Sequence, residues 1–425
     1  MVPSVSEAEA IGKSLRSQLG DHVLTVHSDQ PAATQTRAWE IAAGSGATVL
    51  VGTREVALWP VAKLSNIVVV EEARRVMRSP STPTLGVREI AHKRAENCGV
   101  PVTFVGPMPS SEALAMGATV EAPKTRWWPL VEVVDRGDEP PSGAPLLERT
   151  RAAIAAVAGN GGSVFVLVPR RGDAASFRCM KCGVLRLCES CSSAADAAES
   201  CRRCGSALGP CADCGYSRFR PLGVGIGSVR DDLARIIGGD VGIVGEDRLV
   251  TVGTERDLIG VEGMNLSVAL DFDGVALAPN YLAGESALRL LVRLAGTVAR
   301  GWGHRCLIQT SDPDQPVVVA LRSGEATGFL ASEAALRERS GFPPYGQLLA
   351  LEIADSAPGD DLDKGLREAI GSDATVLGPA PMPDRARWLV QAPDLSSAKV
   401  PLRGFVRAIR DRGGRVRVDV DPIDL

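Results

Sequence analysis

The chain has 425 residues, 45% of them hydrophobic and 23% charged, with a formal net charge of −4. Such a length holds roughly two to four domains with enough apolar content for several cores, and the mild acidity excludes a global electrostatic footprint for nucleic acid, so any such contact needs a local patch. No apolar run approaches the ~20 residues of a membrane span, and the first residues lack the basic-then-apolar pattern of a secretory signal, so a cytoplasmic protein with reduced thiols is expected.

In chain order, Ser6–Leu19 has an acidic start and apolar residues at helical spacing (Ala10, Ile11, Leu15, Leu19) and reads as a helix. His22–Val26 reads as a short strand, Ala32–Ala43 as a helix and Ala47–Val51 as a strand. Ile67–Val70 is a continuous β-branched run, expected of a strand covered on both faces of a parallel sheet. Val87–Asn97 then reads as a helix and Val100–Val105 as a strand. This alternation argues for a parallel sheet flanked by helices. Arg136–Pro145 is a linker by its Pro, Gly and charge content. A second α/β unit comes next, with a helix over Leu146–Ala158 and a strand over Ser163–Val168. It is interrupted after Arg170-Arg171-Gly172 and resumes near Leu222. Strands are expected around Val241–Val244, Leu249–Val252 and Val268–Asp271, then a helix over Glu285–Ala299 and a strand over Cys306–Thr310. From about residue 330 the chain has its own alternation of strands and helices.

The interruption holds four CxxC pairs: Cys179/Cys182, Cys188/Cys191, Cys201/Cys204 and Cys211/Cys214. Two thiolates two residues apart on a tight turn can both reach one ion at ~2.3 Å, and two such turns complete a tetrahedron. Eight sulfurs therefore make two four-cysteine zinc sites. Glycine after three of the second cysteines (Gly183, Gly205, Gly215) fits zinc knuckles better than redox pairs. A disulfide framework is the alternative, and nothing else in the chain looks secreted. Spacing alone allows sequential or nested pairing.

Two α/β units with a cysteine-rich insertion early in the second resemble the primosomal protein N′ (PriA) family of bacterial replication-restart proteins. Met1-Val-Pro-Ser4 is similar to the family's L-V-P-E segment, Gly52-Thr-Arg54 to its G-T-R and Arg170-Arg-Gly172 to its R-R-G before the zinc module. Phe342-Pro-Pro-Tyr345 is similar to its P-P-[FWY] signature and Asp419-Val-Asp-Pro422 to its closing D-V-D-P. The resemblance runs nearly end to end. It implies an α/β fold of two RecA-like helicase lobes, a double four-cysteine zinc insertion in the second lobe, and a C-terminal α+β domain that touches DNA and partner proteins. On that plan lobe 1 spans 1–135 and is incomplete at its N-terminus. Lobe 2 spans 146–176 and 218–328, the zinc insert 177–217 and the C-terminal domain 329–425. Nested ligation is also what the resemblance implies: Cys179, Cys182, Cys211 and Cys214 on one zinc, and Cys188, Cys191, Cys201 and Cys204 on the other.

The motor motifs depart from the family. A helicase lobe needs G-x-x-x-x-G-K-[ST], whose N–H groups, Lys and hydroxyl hold the phosphates and Mg²⁺. Gly12-Lys-Ser14 supplies only its tail, inside a helical pattern. Gly223-Val-Gly-Ile-Gly227 has no lysine and reads as a flexible exit from the zinc insert. The loop and an N-terminal DNA-binding domain would lie upstream of Met1 if the start is misplaced or the chain truncated; otherwise the region was lost. The D-E-x-H position reads Val70-Glu71-Glu72-Ala73. Valine cannot orient Mg²⁺ through its water shell, and Glu71 reads as a solvated strand-end acid. Gly106-Pro-Met-Pro-Ser110 replaces G-S-A-T-P-S, and its prolines lack a backbone donor. Q-V-A-G-R-A-G-R is similar to Arg293-Leu-Ala-Gly-Thr-Val-Ala-Arg300, with Thr297 where an arginine finger worth about 10³–10⁵ in rate would sit. Only Arg300 is kept. Gly253-Thr-Glu-Arg256 replaces G-T-Q-M and sets a carboxylate where an amide would face phosphate. Neither ATP hydrolysis nor unwinding is expected.

Other candidates are less specific. The four histidines are scattered and read as surface or packing residues, and Cys98 and Cys306 as buried apolar thiols. Trp127-Trp128, near Lys124 and Arg126, either stack on a base or plug the space between lobes. Arg403, Arg407 and Arg410 share one helix face and either track a phosphate backbone or form a solvated face paired with acids.

The expected function is recognition of stalled or branched forks and reloading of the replicative helicase without helicase activity. Two zinc ions would be the cofactors. The resemblance implies forked or single-stranded DNA, single-strand-binding protein, other primosome components and the replicative helicase or its loader as partners, with no membrane. An ATP-dependent 3′-to-5′ helicase completed by upstream sequence is one alternative, and a zinc-dependent protein scaffold is another.

Overall fold

A computed structural model describes residues 1–44, 48–79, 84–122, 127–139, 144–168, 176–190, 195, 199–201, 205–222, 226–270, 272–278, 280–354, 359–372, 374–382 and 384–423. The chain divides into two compact units, Met1–Val120 with Val418–Val420, and Glu121–Arg417 with Asp421–Leu425.

The first unit opens with α1 (Val5–Leu19), started by Ser4, whose side chain accepts the Glu7 N–H at 3.3 Å. Its Ala8 and Gly12 face β1 (Val23–Val26), and a Cβ on Gly12 would collide with Thr25. The helix therefore lies on the strand at a distance only glycine permits. After α2 (Ala32–Ala43), β2 (Val49–Gly52) pairs parallel with β1. Farther on, β3 (Ile67–Val70), α3 (Val87–Cys98) and β4 (Val102–Val105) form a second parallel pair with its helix, and α4 (Ser111–Ala115) comes after them. Residues 1 and 2 join the two pairs. The Val2 N–H donates to Gly52 at 2.9 Å, the Val70 N–H donates to Met1 at 2.9 Å, and the Met1 amino group donates to Val68 at 2.7 Å. The β-branched run is covered on one face only: Val69 is buried, whereas Val68 is 43% exposed.

In the second unit, β5 (Leu130–Asp135) precedes α5 (Glu148–Gly159) and β6 (Val164–Leu167). The hairpin strands β7 (Ser176–Cys179) and β8 (Phe219–Leu222) then flank the cysteine segment. Next come α6 (Ile226–Ile237), β9 (Gly242–Ile243), β10 (Val250–Gly253), β11 (Leu266–Ala269), α7 (Asp273–Ala276), α8 (Ala283–Gly296) and β12 (Arg305–Thr310). The strands form a six-stranded parallel sheet in the order β5-β12-β11-β6-β10-β9. Every residue of β6 and β11 is buried, which is why both read as near-continuous apolar runs. Ile154 of α5 and Val229 and Leu233 of α6 pack on the face carrying Val164, Val166, Val250 and Val252. On the other face Ser267 of β11 meets Thr297 just past α8.

Residues 130–135, which the sequence assigns to the first lobe, belong to this second sheet. All six pair with β12, from Leu130 opposite Arg305 to Asp135 opposite Thr310. Glu132 of β5 also receives Arg305 at 2.7 Å and Arg149 at 3.0 Å, so charge as well as backbone fixes the strand there.

α9 (Pro316–Ser323) and α10 (Ala326–Ser340) lead to the last domain, which consists of β13 (Gln347–Ala354), α11 (Gly359–Ile370), β14 (Thr375–Met382), β15 (Arg385–Ala392), α12 (Lys399–Asp411) and β16 (Arg415–Val420). Its sheet has the order β14-β15-β13-β16, with antiparallel pairing of β15 to both neighbours, and is the α+β arrangement expected. Trp388 is fully buried in it and donates to Asp363 of α11 at 2.9 Å. Arg367 one turn on, and then that indole N–H, hold the Asp363 carboxyl below its usual range against the opposing effect of burial.

A buried carboxylate fastens α8 to α10. Glu285 accepts Arg289 at 2.8 Å and Arg337 at 2.7 Å, and all three residues are buried. Removing one partner from such a cluster costs about 3–5 kcal/mol, because buried charge is left uncompensated. Glu285→Ala is expected to lower the unfolding free energy of the second unit by about that amount, read from urea denaturation. An unchanged midpoint would contradict the assignment.

Candidate metal centre and nucleotide positions

The hairpin β7–β8 brings the ends of the cysteine segment to one place. Cys179 Sγ lies 3.5 Å from Cys214 Sγ, and Cys182 Sγ lies 3.5 Å from Cys211 Sγ. All four ligand atoms fall within 4.8 Å of one another. Tetrahedral zinc with sulfurs at ~2.3 Å needs S–S separations near ~3.8 Å, so the donor set fits a thiophilic metal. The first and last pairs come together, which is the nested arrangement; sequential pairing would have joined Cys179 and Cys182 to Cys188 and Cys191.

Each knuckle is a small hydrogen-bonded loop. The Gly183 N–H donates to Cys179 at 3.0 Å while the Cys179 N–H donates to Val184 at 2.9 Å. The Gly215 N–H likewise donates to Cys211 at 2.8 Å, and the Cys211 N–H to Tyr216 at 2.9 Å. The glycines take φ of 77° and 69°, a region that disfavours any side chain. Burial works against ionisation of Cys179, yet the backbone N–H groups of Cys182 and Lys181, helped by the Cys214 and Cys182 thiols, bring it down to about 6. Cys182 is pushed up to about 12, its favourable Val184 N–H outweighed by burial and the three thiols around it.

For the other four cysteines the structure places Cys188 and Cys201, both buried; Cys191 and Cys204 lie outside the described residues, as do Arg170–Gly172. The turn at Cys201 repeats the knuckle pattern, with the Gly205 N–H donating to Cys201 at 2.8 Å and the Cys201 N–H to Ser206 at 2.8 Å. Gly205 takes φ of 76°.

The positions similar to nucleotide motifs are occupied by internal contacts. Gly12, Lys13 and Ser14 lie within α1. Glu71 is not a solvated acid. Its side chain is 16% exposed, its Oε2 lies 3.4 Å from Arg74 Nε, and Arg74 also reaches Glu7 at 2.9 Å. The short β3 ends in a turn at Glu71 (φ 46°), whose N–H donates to Val105 at 2.6 Å, and this tucks the side chain back toward α1. Nearby, burial opposes the charge on Arg88, but the Glu112, Glu89 and Glu72 carboxylates raise it above its ordinary value. Ser110, at the end of the Gly106–Ser110 segment, is buried as the cap of α4 and accepts the Ala113 N–H at 3.0 Å. In the second unit Thr297 is buried and its Oγ1 lies 2.7 Å from both Ser267 Oγ and the Leu294 carbonyl. Glu255 pairs with Arg293 at 3.1 Å, and Thr254 with Asp257 forms a capping box at the start of 255–260. Arg300 is exposed. Of the Gly223–Gly227 run, residues 223–225 lie outside the described residues.

Arg403, Arg407 and Arg410 are all exposed on α12, opposite its buried Leu402 and Ile409. Arg407 lies 3.8 Å from Asp411, and Arg410 donates to the Val416 carbonyl at 3.2 Å. Trp128 is a packing residue: its indole N–H donates to Leu321 at 2.8 Å and its ring lies over Gly324. Trp127 is half-buried, while Lys124 and Arg126 lie outside the described residues. Cys98 is exposed rather than buried; it is the last residue of α3. Cys306 is fully buried and pushed up to about 12 by that burial, which leaves it inert. The pairs of Arg74 with Glu7 and of Arg88 with Glu112 escaped sequence reasoning, since these partners lie far along the chain.

No helix among the described residues is long and apolar enough to cross a membrane. Fold and site define a multidomain α/β protein with a cysteine metal module inserted in a parallel-sheet unit and an α+β domain at its end. The model of the primosomal protein N C-terminal domain matches residues 338–423. Over 96% of its length the chain is 25% identical to the replication restart protein PriA of Thermotoga maritima, covering 58% of that protein. It is 23% identical to PriA of Bacillus subtilis over 99% of its length, covering 60% of that protein, and 24% identical to PriA of Treponema pallidum, covering 72%. The chain is similar to PriA replication restart proteins along nearly its whole length, and spans about three fifths of the length of the Thermotoga and Bacillus relatives. Among solved structures, a C-terminal segment of the alpha subunit of aIF2 from Pyrococcus abyssi aligns with 25% of the chain at 18% identity and a TM-score of 0.14, too slight a likeness to inform the fold.

The nested cluster makes a direct prediction. Cys182→Ser is expected to remove one equivalent of bound metal per chain, measured by plasma emission, and to expose the hairpin to limited proteolysis. Metal content equal to that of the parent would sink the assignment.

Proposed function

We propose that the chain is a primosomal replication-restart protein that recognises stalled or branched DNA forks and helps reload the replicative helicase without acting as an ATP-driven motor. The observation that carries this reading is similarity to PriA along 96–100% of the chain, including the C-terminal domain match at 338–423. Lobes of RecA type are supported by the parallel sheets of both units. The absence of a motor is supported by internal pairing at the motif positions: Glu71 with Arg74, Glu255 with Arg293, and Thr297 with Ser267. A threonine whose hydroxyl is already engaged in the core cannot replace an arginine aimed at a transferring phosphate.

The C-terminal domain would meet the DNA backbone through Arg403, Arg407 and Arg410, which share the exposed face of α12. A second zinc on Cys188, Cys191, Cys201 and Cys204 is supported by the knuckle geometry at Cys201. With two metals the insert would be a rigid surface for other primosome proteins, among them single-strand-binding protein and the helicase or its loader, in the cytoplasm.

The test is a titration of forked and linear DNA with a parallel DNA-stimulated ATPase assay. Preferential retention of forks with hydrolysis at background is expected. Equal affinity for linear duplex, or robust hydrolysis, would overturn the reading. Replacing Arg403, Arg407 and Arg410 together by alanine should reduce the log–log salt slope by about 2 to 3, at roughly 0.9 per phosphate contact. Cys188→Ser should remove the second equivalent of metal and leave the first in place.

A further inference from the structure

Trp302 is 100% exposed, the only tryptophan so placed among the described residues. It stands between Gly301 and Gly303 on the turn from α8 to β12, and that turn is tightly held. The Asn265 side-chain amide donates to His304 Nε2 at 2.6 Å, which puts the imidazole proton on Nδ1, where it is donated to the Ala299 carbonyl at 3.1 Å. Asn265 is itself fixed by Ser163, whose N–H and hydroxyl donate to its Oδ1 at 2.8 and 3.0 Å. Arg305 donates to the Gly303 carbonyl at 3.2 Å while its Nε binds Glu132 at 2.7 Å. A Cβ on Gly301 would collide with the His304 ring, and Gly303 takes φ of 79°, so both glycines are needed for this path.

We propose that Trp302 is a base-stacking residue for single-stranded nucleic acid, with Arg300 beside it as a backbone contact. This rests on the DNA-binding reading above. A large apolar ring carried on a braced turn needs no ordering of the backbone when a partner arrives. Arg300, two residues earlier, is exposed and makes no ion pair among the described residues, whereas Arg305 is already neutralised by Glu132. A protein hot spot sits inside a ring of other packed residues. Here the chain on either side of the indole is glycine, arginine and histidine. An unpaired base needs only a π face and a nearby cation.

The experiment uses the full chain, forked DNA with a single-stranded arm, and the same fork with abasic sites in that arm. Stacking on one base is worth about 1–3 kcal/mol, which converts to roughly 5- to 150-fold in affinity. Trp302→Ala should weaken binding to the intact arm within that range, and Trp302→Phe should keep most of the affinity. The abasic arm should weaken the parent to the level of the alanine variant and leave the variant itself unchanged. Arg300→Ala should lower the salt slope by about 0.7, a slope Trp302→Ala leaves alone. Trp302→Ala within twofold of the parent, or an equal further loss on abasic arms, overturns the proposal while fork binding by the parent keeps the functional reading. A parent chain that retains no forked DNA overturns both.

Discussion

Four sulfur atoms gathered within 4.8 Å of one another set the connectivity of the second unit. Because the first and last CxxC pairs meet, the chain leaves the parallel sheet after β6 and returns before α6 through a single hairpin, β7 against β8. The sheet can then close over the gap as though the insertion were absent, with β6 central and paired on both sides. A small loop-rich insert has little apolar core of its own, and a metal on these four cysteines would supply ~10–16 kcal/mol of the folding energy such a segment lacks. Arg186 adds a non-metal anchor, its guanidinium 4.2 Å over the Phe219 ring and bonded to Gly209 at 3.1 Å.

Much of this architecture was legible from residue type. The apolar residues Val164–Leu167 read as a strand, which the structure buries along its whole length, and the cysteine spacing with its following glycines gave the knuckles directly. The failures have a common origin in long-range pairing. β5 precedes a Pro- and Gly-rich linker and so reads as the end of the first lobe, yet its register partner is β12, 170 residues or more away in sequence. Ile67–Val70 has the composition of a doubly covered strand, but composition cannot report that Val68 has no helix above it. Glu71 reads as a solvated acid because Arg74, three residues on, is itself held inward by Glu7, which lies far back along the chain. Pairing among the cysteines was likewise open to spacing alone, and the hairpin decides it for the four at the ends of the segment.

The polar residues at the motif positions share one property. In a nucleotide enzyme the groups that meet phosphate and Mg²⁺ are held ready for a ligand and are incompletely satisfied without it. Here several of the corresponding carboxylates and hydroxyls have partners within the chain. Arg74 draws together Glu7 and Glu71, Arg293 takes Glu255, and Ser267 takes Thr297. For the buried Thr297 hydroxyl such a partner offsets the desolvation penalty of an unpaired group, whereas Glu255 stays half exposed.

The helix α8 gathers several of these exchanges on one element. Its first turn is tied to α10 through Glu285 and Arg337, its side to residues 255–260 through Arg293, and its end to β11 through Thr297. Ligand-driven movement of a lobe requires a helix with two nearly equal resting places, and contacts at three points along α8 favour one. The turn between α8 and β12 inherits that rigidity. Three residues after the last turn of α8 the chain is bonded back to Met264 through Ala299 at 2.8 Å, and three further on it presents Trp302. The segment after α8 is thereby a fixed support, and a fixed support is what a single stacking ring needs to contribute binding energy.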